Sequence, residues 1–132
     1  MMTTEVGRTI LLVDDDESLR QMYTLILSRA GYQVTTATDG VQGLAKARGG
    51  GYDLILLDLM MPNIDGLGVL RGLRQEPPKK PNGPIVVLSN VGYEKVSQEA
   101  QELGAAGFLT KVDLLPKDLL AAISKYLVSA SS

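Results

Sequence analysis

There is no histidine in this chain, no cysteine and no tryptophan, and only one phenylalanine. Without imidazole or thiol there is no Ser-His or Cys-His catalysis and no histidine- or cysteine-bound zinc, so any metal must be a hard cation held by oxygens. The chain also cannot serve as a phosphohistidine donor. Lacking cysteine, it forms no disulfide and is indifferent to redox compartment. Basic residues are not in excess: 13 Lys and Arg stand against 15 Asp and Glu, a formal net charge of −2. No basic stripe runs along the sequence, which argues against a nucleic-acid surface. No apolar run approaches a membrane span, and Met1-Met2-Thr3-Thr4-Glu5 has neither a cationic start nor an apolar stretch. The expectation is a cytoplasmic protein that engages no membrane.

What remains, 132 residues of which 45% are hydrophobic and 21% charged, suits one globular domain with a proper core. Residues 1–132 are read as that single domain, with an ordered core over about 7–128 and short polar tails such as Ser129-Ala130-Ser131-Ser132.

Short apolar runs alternate with stretches of helical periodicity, the pattern of βα units around a parallel sheet buried on both faces. Ile10-Leu11-Leu12-Val13, Leu54-Ile55-Leu56-Leu57 and Ile85-Val86-Val87-Leu88 read as central strands, and the weaker Val34-Thr35-Thr36-Ala37 and Phe108-Leu109-Thr110 as edges. A first helix carries Leu19, Met22, Tyr23, Ile26, Leu27 and Ala30 on one face and ends at Gly31. A second, capped by Asp39, carries Val41, Leu44 and Ala45; a third carries Val69, Leu70 and Leu73. Val96, Ala100 and Leu103 mark a fourth helix ended by Gly104, and Pro116 opens a fifth with Leu119, Leu120, Ile123 and Leu127 inside. Glu76-Pro77-Pro78-Lys79-Lys80-Pro81-Asn82-Gly83-Pro84 is a surface loop within the domain. Right-handed crossovers on five parallel strands favour the flavodoxin-like (βα)5 fold, a doubly wound α/β sheet of strand order 2-1-3-4-5. In such a sheet ligands bind beyond the carboxyl ends of strands 1 and 3, where the order reverses.

Carboxylates gather at that place. Asp14-Asp15-Asp16-Glu17 follow the first strand and Asp58 follows the third. Adjacent strands lie about 5 Å apart, so Asp14, Asp15 and Asp58 can share one small cation, which would relieve their mutual repulsion. With oxygen ligands and a phosphate substrate, Mg²⁺ is the natural ion. Asp16 and Glu17 read as helix-capping charges; Asp14 and Asp15, taken alone, fit capping or metal binding equally well. Asp58 tips the balance, because a charge ending a buried apolar strand needs a partner. Ser89 and Lys111 end the fourth and fifth strands on the same edge. Singly each is an ordinary surface residue. Lys111 starts about 10 Å from Asp58 by strand spacing, a gap its long stem covers in large part. A carboxylate can attack phosphorus to give an aspartyl phosphate when the incoming negative charge is neutralised; Mg²⁺ and Lys111 would do that, with Ser89 donating a hydrogen bond.

Four segments carry a closer likeness: Ile10-Leu-Leu-Val-Asp14-Asp15; Leu54-Ile-Leu-Leu-Asp58-Leu-Met60-Met-Pro62-Asn-Ile-Asp65-Gly66; Val86-Val-Leu-Ser89; and Gly104-Ala-Ala-Gly107-Phe108-Leu-Thr-Lys111. In that order, across nearly the whole chain, they resemble bacterial response-regulator receiver domains of two-component signalling. The resemblance implies that Asp58 is the phosphoacceptor, that Asp14 and Asp15 bind Mg²⁺ together with Asp58 and the backbone carbonyl of Met60, and that Ser89 and Lys111 contact the phosphoryl group. Phe108 falls at the aromatic switch position, although core packing explains it equally well. The donor would be a histidine kinase or histidine phosphotransfer protein. The output surface would be the face of the fourth helix, fifth strand and fifth helix, contacting a downstream protein and no nucleic acid, as a monomer or a phosphorylation-dependent dimer. Such a domain is not an enzyme beyond catalysing its own Mg²⁺-dependent phosphorylation and dephosphorylation.

Two positions depart from the family. Val112 replaces the usual proline after the lysine, which removes the reason for a cis peptide there. Asn90 replaces a small residue after Ser89 and is expected to modulate the site by partly covering it. Three rival readings compete with this one. A haloacid-dehalogenase-type phosphohydrolase needs a second aspartate where Met60 stands, and a flavin-binding loop would not carry Asp14 to Glu17. The third is a receiver-like protein-binding module that works without phosphorylation; the five suitable site residues speak against it, while Val112 and Asn90 leave it room.

Overall fold

The computed structural model describes residues 7–90, 94–111 and 114–131. Five strands, β1 (Thr9–Val13), β2 (Gln33–Ala37), β3 (Leu54–Asp58), β4 (Ile85–Ser89) and β5 (Gly107–Thr110), alternate with five helices. The helices are α1 (Glu17–Arg29), α2 (Gly40–Gly49), α3 (Gly66–Gln75), α4 (Glu94–Glu102) and α5 (Pro116–Ser131). All strand pairs are parallel and the order is β2-β1-β3-β4-β5, the flavodoxin-like arrangement, with the two weak strands at the edges.

The near-continuous apolar runs are explained by the two layers that cover them. Leu11, Val13, Ile55, Leu57 and Val87 face α2, α3 and α4, whereas Ile10, Leu12, Leu54, Leu56, Val86 and Leu88 face α1 and α5. Helix ends follow from their side chains. Asp16, Asp39 and Asp65 cap α1, α2 and α3, accepting from Leu19 N, Gln42 N and Gly68 N. Gly31, at φ 101°, turns the chain out of α1 as the sequence suggests. The proline-rich loop is tied down through Asn82, whose side chain accepts from Tyr52 N at 3.1 Å and donates to Ala47 O at 2.8 Å.

Some expected packing faces differ. Met22 of α1 and Ala30 at its C-cap are exposed, leaving Tyr23 and Leu27 as the helix's fully buried residues. In α2, Val41 and Ala45 point to solvent, Leu44 is half-buried, and the inner face is Gly40, Gly43 and Ala47. That helix lies so close to the sheet that a Cβ on Gly43 would sit 2.6 Å from Val13 Cγ1. Hydrophobic periodicity cannot reveal a face built from glycine.

Gly43→Ala is therefore expected to destabilise the fold by about 1 to 3 kcal/mol despite alanine's better helix propensity, because overpacking outweighs that gain. Gly49→Ala, with open space around it, is expected to be neutral or stabilising. Urea midpoints of the two variants check the contrast.

Candidate functional site

The parallel register sets out the site. Val13 pairs with Leu57, so the next residues, Asp14 and Asp58, emerge side by side at the carboxyl edge. Asp58 pairs with Leu88 and Ser89 with Thr110, which brings Ser89 and Lys111 to the same edge. Gly66 lets the loop after β3 fold back: its N–H donates to Leu59 O at 2.9 Å, and a Cβ there would lie 2.6 Å from Asp58 O. Asn63, at φ 69°, makes the left-handed turn of that loop.

Asp14 and Asp58 are buried and Asp15 is exposed, yet one oxygen from each lies within 4.8 Å of the others. Lys111 reaches further than strand spacing suggests. Its Nζ is 3.1 Å from Asp58 Oδ1 and 3.0 Å from Asp14 Oδ2, with the side chain only 15% exposed. The contact with Asp14 Oδ2 is ionic without the alignment of a hydrogen bond, so that fully buried oxygen keeps an unfilled acceptor site. Met60 N donates to Asp58 Oδ1 at 3.3 Å. Asp14 Oδ1 accepts from Asp16 N at 2.9 Å, and Asp14 O accepts from Arg20 Nη1 at 2.9 Å.

Burial, and then the charge of Asp14, push the Asp58 carboxyl up to about 6, with Lys111 and Met60 N pulling the other way. Burial disfavours the Lys111 ammonium, but the two carboxylates outweigh it and raise its pKa above the usual lysine value. The cluster thus holds more negative charge than one lysine offsets. Three carboxylates converge with no sulfur or nitrogen donor among them, and one oxygen lacks a hydrogen bond; this donor set fits a small divalent cation.

The other expected site residues are placed as follows. Ser89 is buried at the end of β4, and Asn90 beside it is exposed. Met60 has an exposed side chain, and its backbone N–H, not its carbonyl, is what the described contacts bring to Asp58. Phe108 is half-buried on β5, opposite Val87 and against the α2-α3-α4 layer. Val112 lies outside the described residues. Arg20 was not singled out from the sequence, where an arginine one turn into an amphipathic helix reads as a solvated charge.

The family model of the response regulator receiver domain matches residues 10–124. The chain belongs to the response-regulator receiver family. Among relatives of this receiver domain, the alkaline phosphatase synthesis transcriptional regulatory protein PhoP of Bacillus subtilis is 38% identical over 122 residues, 92% of this chain and 49% of the relative. The transcriptional regulatory protein ResD of the same organism is 34% identical with the same coverage. The chain spans about half the length of these curated relatives. The chemotaxis protein CheY4 of Vibrio cholerae superposes with a TM-score of 0.79 at 34% identity, covering 92% of this chain and 99% of that one. The receiver domain of sensor histidine kinase PA1611 from Pseudomonas aeruginosa, described with a magnesium ion coordinated in its active site cleft, superposes with a TM-score of 0.79 at 26% identity over 92% and 98% of the two chains. Among the described residues of this receiver, no helix is long and apolar enough to cross a membrane.

A carboxyl whose folded pKa is raised favours the folded state while protonated. Its contribution is complete below pH about 4 and is lost as pH rises through about 6. In the presence of a chelator, Asp58→Asn is expected to be more stable than the parent above neutral pH by about 2 to 3 kcal/mol, the advantage vanishing toward pH 4. Urea unfolding across that pH range measures it.

Proposed function

We propose that Asp58 is the phosphoacceptor of this receiver domain, taking a phosphoryl group from a histidine kinase or histidine phosphotransfer protein and thereby switching a protein-binding face. The observation that carries the reading is the position of Lys111 Nζ, at 3.0 Å from Asp14 and 3.1 Å from Asp58, inside a three-carboxylate cluster.

Asp58 Oδ1 is held by Lys111 and by Met60 N, and Oδ2 has no donor among the described residues. Oδ2 is therefore the oxygen left to attack phosphorus: a new O–P bond forms as the bond from phosphorus to the donor nitrogen breaks. Asp14, Asp15 and Asp58, with the Met60 carbonyl, would hold Mg²⁺, which when bound would supply positive charge to offset that of the phosphoryl oxygens. Lys111 gives up part of its pairing with the carboxylates to a phosphoryl oxygen, and the Ser89 hydroxyl donates a hydrogen bond to another. These contacts favour an arrangement in which Phe108 turns inward, a population shift read on the face of α4, β5 and α5 by a downstream protein. The domain acts on itself, catalysing its own phosphorylation and dephosphorylation. It works in the cytoplasm, as a monomer or a phosphorylation-dependent dimer.

Incubation with acetyl phosphate and Mg²⁺, followed by intact mass, is expected to give a single phosphoryl adduct. It should disappear in Asp58→Asn and with chelator. No adduct on the parent chain, or one that survives in Asp58→Asn, overturns the reading in favour of a phosphorylation-independent module.

Asn90, exposed directly after Ser89, is proposed to modulate the site by limiting access of donor and water. Asn90→Ala is expected to speed phosphorylation by acetyl phosphate, loss of the phosphoryl group, or both, by several-fold. Time courses unchanged in both directions would remove that role.

A further inference from the structure

The Asp15 carboxylate belongs to the three-acid cluster but has no hydrogen bond or ion pair of its own among the described residues. Asp14 and Asp58 are held by burial, by the register of β1 and β3 and by Lys111; Asp15 is exposed and goes where the turn between β1 and α1 sends it. The polar groups of that turn are tied in sequence. Asp14 N donates to Ala37 O at 3.2 Å, extending the β1-β2 pairing by one bond. Asp16 N donates to Asp14 Oδ1, Leu19 N to Asp16 Oδ1, and Arg20 N to Asp16 O. The carbonyl of Asp14 is closed from the far side by Arg20 Nη1 at 2.9 Å.

We infer that Arg20 is a positioning residue for the metal site: its guanidinium clamps the Asp14 carbonyl and so fixes the turn that presents Asp15 beside Asp14 and Asp58. This rests on the phosphoacceptor reading above. A charged donor reaching back from the first turn of α1 ties the rigid helix to the strand end, so the backbone on either side of Asp15 is fixed by elements that cannot drift apart. Arg20 is half-buried and touches the cluster only through this backbone oxygen, so it binds neither metal nor phosphoryl group.

The sign of its effect separates this role from the alternative. As a mere positive charge near the cluster, Arg20 repels a cation, and removing it would tighten Mg²⁺ binding. As a clamp, it preorganises the ligands, and removing it weakens binding.

Mg²⁺ titration of the full chain, followed by amide shifts around Asp15, is expected to give about tenfold weaker affinity for Arg20→Gln, with Arg20→Lys between that variant and the parent. Unchanged or tighter affinity in a folded Arg20→Gln overturns the role. If Arg20→Gln does not fold, Arg20→Lys decides, since it keeps the charge: weaker binding supports the clamp and parental affinity overturns it. Absence of Mg²⁺ binding in the parent sinks the underlying reading instead, so the two failures are distinguishable.

Discussion

Two buried carboxylates facing one ammonium ion constrain the whole molecule. Asp14 and Asp58 end adjacent strands with side chains that water barely reaches, and Lys111 crosses from the edge of the sheet to sit between them. Buried like charges repel strongly and each pays a desolvation cost, so the arrangement persists only because the register of five strands leaves these groups nowhere else to go. Burial first, and then the charge of Asp14, hold the Asp58 carboxyl above its usual range although Lys111 pulls it down. Such a cluster carries more negative charge than its one lysine offsets. On the proposed reading, the tension of the resting arrangement and the affinity for an ion and a phosphoryl group have one physical origin.

The fold serves that site by making its edge stiff. The six strand residues facing α1 and α5 and the five facing the other layer are nearly all excluded from water, and both layers lean on β1 and β3 where the acids emerge. Close approach on the α2-α3 side has a compositional consequence. Gly43 lies against Val13, the residue before Asp14, and Gly66 against the backbone of Asp58 itself. Positions that look like weak points in their helices are where the scaffold presses on the strand ends from which Asp14 and Asp58 emerge.

Much of this was legible in the sequence, because parallel strands buried on both faces must be written as unbroken apolar runs, and an aspartate ending such a run is conspicuous. The strands, the order of elements and the convergence of Asp14, Asp15 and Asp58 followed from that. The inner face of α2 did not, since glycine and alanine carry no hydrophobic signal, and Val41 advertised a face that turns to solvent. Strand spacing understated Lys111, whose extended stem spans two strand positions. Arg20 escaped because its partner is a carbonyl, and backbone acceptors are invisible to residue-type patterns.

The proposed output follows from how unevenly the elements of that face are anchored. Helix α5 is pinned by Leu119, Ile123 and Leu127, all removed from water, whereas α4 has Ala100 as its one fully buried residue among those described, with Val96, and Leu103 just past its end, half-buried. What else holds α4 is largely polar and comes from α3: Arg71 pairs with Glu99 at 3.6 Å and Arg74 Nη1 donates to Glu102 O at 2.8 Å. Exposed pairs of this kind contribute about 0 to 1 kcal/mol each, while shifting α5 would expose three aliphatic side chains at about 2 kcal/mol apiece. Strand β5, which carries Phe108 and leads to Lys111, borders both helices. On the proposed reading, when Lys111 turns from the carboxylates to a phosphoryl oxygen and Phe108 moves inward, α4 is the element that gives way and α5 is the fixed surface against which its displacement is read.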